Sequence, residues 1–249
     1  MKYVLGIDVG GTKIAAGLVD KRFKVSKVKI IRTSDTDLIN QLVDLIKSYE
    51  GFRAIGLALP GQILPNGLAL KMSNITKFER VNFKTLLENK FRLPVHVMND
   101  AKAFGLAEAT LGSGKHYKVV AGVVLGTGVG VGVVINKKVY FGKDSLAGEL
   151  EHVTLLDGQL IRHYRKVAGF FSKVKQTEKF VRTILSMVVL SFNPDIIIIG
   201  GGWGKLPGME RLANKLLQNV GGYVNKTPIK VSKMDHPGIV GAVLPLLKK

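Results

Sequence analysis

Apolar segments alternate with glycine-rich breaks from the start of the chain. Apolar residues dominate Tyr3-Val-Leu-Gly-Ile-Asp8 and Ile14-Ala-Ala-Gly-Leu-Val19, and Gly10-Gly-Thr lies between the two segments. Short apolar runs bounded by glycine predict two strands joined by a tight turn. Residues 25–33 predict a third strand, so we expect the chain to open with a β-meander.

Helical and strand patterns alternate over the next part of the chain. Residues 38–49 carry apolar side chains at helical spacing, and residues 54–59 form an apolar run that ends at Pro60-Gly61. A helix at 83–91, a short strand at 95–98 and an alanine-rich helix at 101–110 are predicted to follow. This alternation of strands and helices indicates the α/β class.

A second set of elements repeats the same theme weakly. We predict a strand at 118–125, a glycine-rich turn at Gly126–Gly130, a return strand at 131–135, a helix at 177–192 and a strand at 195–199. Small residues at 238–244 predict a helix that packs closely against a neighbouring element. We therefore expect two lobes: residues 1–98, completed by a helix at 238–249, and residues 99–237.

Composition narrows the function classes. We expect a cytoplasmic protein that does not enter a membrane, because the N-terminus lacks a secretory-signal pattern and no apolar run approaches the ~20 residues of a membrane helix. The absence of cysteine excludes disulfides, thiolate zinc sites and cysteine nucleophiles. Any metal would then have oxygen or histidine ligands, which favours a hard cation such as Mg²⁺.

The net charge of +19 favours polyanionic partners. Two interpretations stay open at this point: a lysine-rich surface without a dedicated role, and a groove for a polyanion. Nucleic acid is not expected, because no helix-turn-helix, zinc-finger or aromatic-basic ribonucleoprotein pattern is present.

Two glycine-rich turns are candidate phosphate sites. Asp8 ends an apolar strand and is followed by Gly10, Gly11, Thr12 and Lys13, so backbone N–H groups and a hydroxyl can bind an anion while the carboxylate faces a metal. The second turn contains Gly126, Thr127 and Gly128. We expect the two turns to hold one polyphosphate from opposite lobes. The alternative is that each is simply a tight hairpin turn.

Asp100 is the candidate catalytic base. Phosphoryl transfer to a hydroxyl requires positioning, charge neutralisation and a carboxylate that accepts the alcohol proton. Asp100 follows a predicted strand at the start of a helix, where the helix dipole favours its ionised form. The alternative is that Asn99-Asp100 only caps this helix.

Together these motifs resemble the repressor, open-reading-frame and kinase (ROK) family of sugar kinases. The resemblance covers most of the chain. Its motifs are Asp8-x-Gly-Gly-Thr-Lys13, Leu59-Pro-Gly61, Ser73-Asn74-Ile75 followed by Phe78 and Leu86, Asn99-Asp-Ala-Lys-Ala103 with Glu108, Gly126-Thr-Gly-Val-Gly130, Ala147-Gly-Glu149-x-x-His152, and Asn193-Pro-Asp195 leading to Gly200-Gly-Gly202. The resemblance implies an actin-like ATPase (ribonuclease H-like) fold with two lobes around a cleft.

The resemblance also implies a division of roles. A hexose, first of all glucose, would be the acceptor of the γ-phosphoryl group of ATP, with Mg²⁺ organised by Asp8. The implied sugar ligands are Asn74, Asn99, Asp100, Glu149 and His152, with Asp100 as the general base. Gly201 and Gly202 would let the adenosine approach closely. For Glu149 and His152, two structural alternatives are a shared helix face and a buried polar pair.

The sequence departs from the family pattern in one region. Members usually follow Glu-x-Gly-His with a cysteine-rich zinc loop that supplies a further sugar-binding glutamate, and this chain has no cysteine. We therefore expect no structural zinc. Glu151 replaces the usual glycine, and the segment after His152 is shortened. Asp157, Gln159 and His163 are equal candidates to replace the missing glutamate.

Two alternatives to an ATP-dependent sugar kinase remain open. The short design is also similar to polyphosphate glucokinases, in which polyphosphate replaces ATP. A basic cluster could bind that chain or be an ordinary solvated helix face: Arg162, Arg165, Lys166, Lys173, Lys175, Lys179 and Arg182. A non-catalytic sugar sensor is the third possibility, because the family includes transcriptional repressors. The sequence also leaves open whether the chain forms a homodimer, and which hydroxyl receives the phosphate.

Overall fold

The computed structural model describes residues 2–72, 75–126, 128–154, 159, 161 and 174–247. The backbone packs as two compact units. The first comprises the chain up to Ala107, Phe141–Leu146 and the part from Asp235 onward; the second comprises Glu108–Tyr140 and Ala147–Met234. The first unit thus extends past residue 98, through most of the helix that follows Asn99.

The first unit is built on a five-stranded sheet with the order β3-β2-β1-β4-β8. Its strands and helices, in chain order, are β1 Tyr3–Val9, β2 Lys13–Val19, β3 Val25–Arg32, α1 Leu38–Lys47, β4 Phe52–Leu59, β5 Gln62–Ile63, β6 Leu68–Lys71, β7 Val81–Asn82, α2 Phe83–Phe91, β8 Val95–Asn99 and α3 Asp100–Thr110. β1, β2 and β3 are antiparallel, which confirms the predicted meander. β1, β4 and β8 run parallel and are almost entirely buried, as their continuous apolar runs require.

The second unit repeats this arrangement in the order β11-β10-β9-β12-β15. Its elements are β9 Val119–Leu125, β10 Val129–Ile135, β11 Lys138–Val139, α4 Val174–Phe192, β12 Ile196–Gly200, α5 Gly201–Gly204, α6 Met209–Leu216, β13 Asn219–Val220, β14 Tyr223–Val224 and β15 Ile229–Val231. Antiparallel pairs join β11, β10 and β9, and parallel pairs join β9, β12 and β15. The weak repeat in the sequence therefore corresponds to two sheets of the same topology.

The last helix, α7 Pro237–Leu247, belongs to the first unit and packs on β1 and β4. Gly6 and Gly56 allow this close approach, because a Cβ on either would overlap the main chain of α7 at Ile239 or Ala242. This confirms the close packing predicted from the small residues. In the part of the chain that the structure describes, no helix, α7 included, is long and apolar enough to cross a membrane.

Candidate active site

The carboxyl ends of β1, β4 and β8 lie side by side in the first unit. Asp8 pairs in register with Ala58 of β4, and Leu59 pairs with Asn99 of β8. Because the three strands are parallel, the residues that end them share one edge of the sheet, where α/β proteins bind ligands. The structure thus brings Asp8, Asn99 and Asp100, which were predicted separately, to the same sheet edge.

Asp8 lies at this edge as a partly buried carboxylate. Burial raises the pKa of Asp8 from 3.8 to about 6, and attraction to Lys13 opposes the rise. A desolvated carboxylate of this kind is a suitable ligand for a hard divalent cation, whose charge would compensate for the lost hydration. Among the described residues no group of three or more acidic or histidine side chains could hold a metal by itself.

The first glycine-rich turn joins β1 and β2 as a tight hairpin. The Gly10 N–H donates to the Lys13 carbonyl at 2.9 Å, and the Thr33 hydroxyl donates to the Gly10 carbonyl at 2.8 Å. Gly11, Thr12 and Lys13 are exposed at the tip. The hairpin alternative is therefore correct as a description of the backbone, and it leaves the tip available to an anion.

Asn99 and Asp100 have different environments at the junction of β8 and α3. The Asn99 side chain is buried: Oδ1 accepts the Lys102 N–H at 3.0 Å, and Nδ2 donates to the Gly61 carbonyl at 2.9 Å. Asp100 is only partly buried, and its Oδ1 accepts the Ala101 N–H at 2.8 Å. The capping alternative thus applies to Asn99, which also ties α3 to the turn after β4. Asp100, like Asp8, therefore contributes a partly exposed carboxylate to this sheet edge.

Segment Phe141–Leu146 is attached to the first unit by two side chains. Lys102, which is fully buried, donates from Nζ to the Ser145 carbonyl at 3.1 Å, and Gln62 donates from Nε2 to the Asp144 carbonyl at 2.8 Å. Sequence reasoning missed these contacts. The one available signal was a lysine within the alanine-rich pattern of α3, because a fully buried lysine needs a polar partner.

In the second unit, the turns after β9 and β12 are neighbours. The Gly126 N–H donates to the Gly128 carbonyl at 3.0 Å. Gly201 has a φ of 77° and lies against the Leu125 backbone, so that a Cβ at position 201 would overlap the Leu125 carbonyl. The Gly200–Gly202 turn continues into the short helix α5, with Gly201 and Gly202 exposed. The structure thus brings together Gly126, Gly201 and Gly202.

Glu149 directly precedes one short 3₁₀ turn, Leu150–His152, and His152 is the last residue of that turn. Leu150 packs into the core of the second unit, Glu149 is partly buried, and His152 is exposed. The buried-pair alternative for Glu149 and His152 is therefore wrong.

Glu151, between them in the chain, has a contact that sequence reasoning missed. Its Oε2 accepts the Val129 N–H at 2.8 Å, directly after Gly128. Its other oxygen, Oε1, lies 3.6 Å from His152 Nε2. Sequence reasoning noted Glu151 only as a replacement for glycine.

Several predicted residues cannot be placed. Asn74, Thr127, Asp157 and His163 lie outside the described residues, whereas Gln159 is described and exposed. Of the basic cluster, Arg162, Arg165, Lys166 and Lys173 also lie outside the described residues, as does the side chain of Lys175. Lys179 and Arg182 are exposed on α4.

Comparison with known proteins finds a family model and curated relatives that match this chain. The model of the ROK family matches residues 4–162, which is more than half of the chain. The N-acetylgalactosamine kinase AgaK of Shewanella sp. (strain ANA-3) is 26% identical, over 79% of this chain and 80% of the relative. The glucokinase of Streptomyces coelicolor is 32% identical, over 65% of this chain and 52% of the glucokinase.

One solved structure has the same fold as this chain. The ROK family glucokinase from Streptomyces griseus, in complex with glucose and AMPPNP, superposes with a TM-score of 0.80 at 19% identity, over 96% of this chain and 97% of that chain. This likeness confirms the predicted α/β, actin-like ATPase fold. The chain therefore belongs to the ROK family, in which the relatives described above are sugar kinases.

Proposed function

We propose that this protein is an ATP- and Mg²⁺-dependent kinase that phosphorylates a hydroxyl of a hexose, with glucose as the first expected acceptor. The observation that supports it most is the position of Asp100, a partly exposed carboxylate at the same sheet edge as Asp8. One of these carboxylates is suited to accepting a proton and the other to holding a cation. Phosphoryl transfer requires both, and the relatives are sugar kinases.

In this proposal Asp100 takes the proton from the acceptor hydroxyl. As the proton leaves, the hydroxyl oxygen forms a bond to the γ-phosphorus, and the bond from that phosphorus to the β–γ bridging oxygen breaks, so that ADP leaves with the electron pair. Bound Mg²⁺, held through Asp8, would neutralise charge on the phosphates.

We assign donor binding to the glycine-rich turns of the two units. Gly10, Gly11, Thr12 and Lys13 in the first unit, and Gly126, Thr127 and Gly128 in the second, would contact phosphate oxygens. Gly201 and Gly202, which are exposed and lie next to Gly126, would border the adenosine, because residues without side chains let a ligand approach the backbone closely.

We assign sugar binding to Asn74, Asn99, Asp100, Glu149 and His152. The contacts of Asn99 qualify this assignment, because both its amide oxygen and its amide nitrogen already bond to the backbone. A primary amide has a second N–H and a second lone pair, which a sugar hydroxyl could use. Asn99 would then cap α3, which begins with Asp100, and also hydrogen-bond to the sugar.

The acceptor and the donor each have a second candidate. An N-acetylhexosamine is the alternative acceptor, because one relative is an N-acetylgalactosamine kinase. Polyphosphate is the alternative donor, because a net charge of +19 favours a polyanion. Polyphosphate-dependent turnover should fall steeply with added salt.

A coupled kinase assay over donors and acceptors tests the proposal. ATP and polyphosphate would each be combined with glucose, N-acetylglucosamine and N-acetylgalactosamine, for the wild type and for Asp100→Asn. Turnover of at least one pair is expected, with a loss of about a hundredfold to ten-thousandfold in Asp100→Asn. Retained turnover in that variant would refute the base assignment. Sugar binding by calorimetry without turnover of any pair would favour the sugar-sensor alternative.

A further inference from the structure

Glu151 places a carboxylate on the second glycine-rich turn. Its Oε2 accepts the N–H of Val129, the first residue of β10, at 2.8 Å. The side chain is only 12% exposed. The turn therefore already binds an anionic group, and that group belongs to the protein itself.

Two glycines allow this contact. Gly148 has a φ of 88° and packs on the backbone of β10, where a Cβ would overlap the Val131 carbonyl. It thus brings the 3₁₀ turn that contains Glu151 close to the start of β10. At Gly128, a Cβ would lie 2.8 Å from Glu151 Oε2, so any larger residue there would displace the carboxylate. Glu151 is held in place by the surrounding backbone, and this distinguishes it from a surface side chain in a chance contact.

A carboxylate and a phosphate compete for the same kind of site. Both are anionic acceptors, and consecutive backbone N–H groups in a glycine-rich turn bind either of them. A donor phosphate that approached this turn would meet a negative charge and an N–H group that is already engaged.

We propose that Glu151 occupies a phosphate position at the Gly128–Val129 end of the second glycine-rich turn in the donor-free protein and that the donor displaces it. Glu151 thereby sets donor affinity. This inference rests on the proposed function, which assigns the turn to the donor phosphates.

Direct binding measurements test this inference on the full chain. Calorimetry would give the Kd of ATP with Mg²⁺, and of tripolyphosphate as a probe without adenosine, for the wild type, Glu151→Gln and Glu151→Gly. Glu151→Gln removes the charge and keeps an acceptor for the Val129 N–H, whereas Glu151→Gly removes both. Glu178→Gln, on α4, is the matched control because it removes one carboxylate elsewhere in the same unit.

The inference predicts a roughly tenfold lower Kd for both probes in Glu151→Gly, with Glu151→Gln between it and the wild type. The KM for the donor should fall in parallel, whereas the KM for the sugar should not. Glu178→Gln should match the wild type in all of these values. A purely structural role of Glu151 would instead lower the melting temperature and weaken or leave unchanged the binding of both probes.

The outcomes separate this inference from the proposed function. If the wild type phosphorylates a sugar and neither Glu151 variant binds the probes more tightly, this inference alone is wrong. If neither the wild type nor the variants bind ATP or tripolyphosphate, both are wrong. Tighter binding of the probes in Glu151→Gly, without any turnover, would support competition at the turn and contradict the kinase proposal.

Discussion

The α-carbon of Gly238 lies directly against the carboxylate of Asp8. Gly238 is the second residue of α7, and a Cβ at this position would overlap both carboxylate oxygens. The end of α7 that covers Asp8 is its N-terminal end, where the helix dipole favours a negative charge. The last helix of the chain therefore encloses the proposed metal ligand and contributes to the desolvation that raises its pKa.

Gly238→Ala should displace Asp8. The added methyl group has no space, so we expect a loss of roughly 1–3 kcal/mol in the free energy of unfolding and at least a tenfold loss in kcat/KM for the donor. Urea unfolding and steady-state kinetics measure the two effects. In the Asp8→Ala background the overlap is absent, so the same substitution should then have little effect on stability. Equal destabilisation in both backgrounds would show that Asp8 is not the group displaced.

Asp8→Asn should stabilise the metal-free protein at neutral pH. The pKa of Asp8 is 3.8 in the unfolded chain and about 6 in the folded one, so the folded state binds the proton more tightly. Below about pH 4 both states are protonated. As the pH rises to about 6, ionisation of the unfolded state lowers stability by about 1–3 kcal/mol, and this penalty persists above pH 6.

The neutral asparagine lacks this penalty. Asp8→Asn should therefore have a higher free energy of unfolding than the wild type. This difference should reach its maximum above pH 6 and disappear near pH 4. Unfolding by urea at several pH values in EDTA measures the difference. A gain that does not change with pH would contradict the assignment of the raised pKa to Asp8.

Asn99 should affect both stability and turnover. Asn99→Ala removes the cap of α3 and the bond to Gly61, which should lower the free energy of unfolding by roughly 1–3 kcal/mol. Asn99→Ser keeps a capping oxygen and loses only the bond to Gly61, so it should recover part of the stability. If Asn99 also binds the sugar, both variants should raise the sugar KM, whereas a capping role alone predicts that Asn99→Ser keeps a normal KM.

Ser232→Ala should make stability more sensitive to pH. Glu108 on α3 is fully buried; it accepts hydrogen bonds from the Ser232 hydroxyl and from the Ser113 N–H. Burial raises the pKa of Glu108, and these hydrogen bonds oppose the rise. Without the hydroxyl the pKa should rise further. The folded state then binds the proton still more tightly, so stability should be near that of the wild type in acid and lower as the pH rises.

Thermal unfolding between pH 5 and pH 8 measures this change. The double variant Glu108→Gln/Ser232→Ala is the control, because it has no carboxylate to ionise. Its destabilisation relative to Glu108→Gln should not depend on pH. A pH-dependent loss in the double variant would assign the effect to another group.

Much of the fold could be predicted from the sequence because it depends on local pattern. Apolar runs bounded by glycine predicted the strands on both sides of each turn, and the spacing of apolar residues predicted α1, α2 and α4. The parallel pairing of β1, β4 and β8 follows from the intervening helices, and it places Asp8 and Asp100 at one edge. The sequence by itself therefore determined the strand order of the meander, the two glycine-rich turns and the identity of the candidate base.

Only the tertiary structure decided which groups these residues meet. Gly238 reaches Asp8, Lys102 reaches Ser145 and Glu151 reaches Val129 across long stretches of chain. The spacing of apolar residues in the sequence does not indicate such pairs, because they depend on how helices and loops pack on the folded sheets. Glycine at 238 and at 128 marked positions of close approach, yet the sequence could not show that a carboxylate fills the space in each case. The candidate base could be identified from its local sequence, whereas the surroundings of Asp8 and Glu151 depend on tertiary packing.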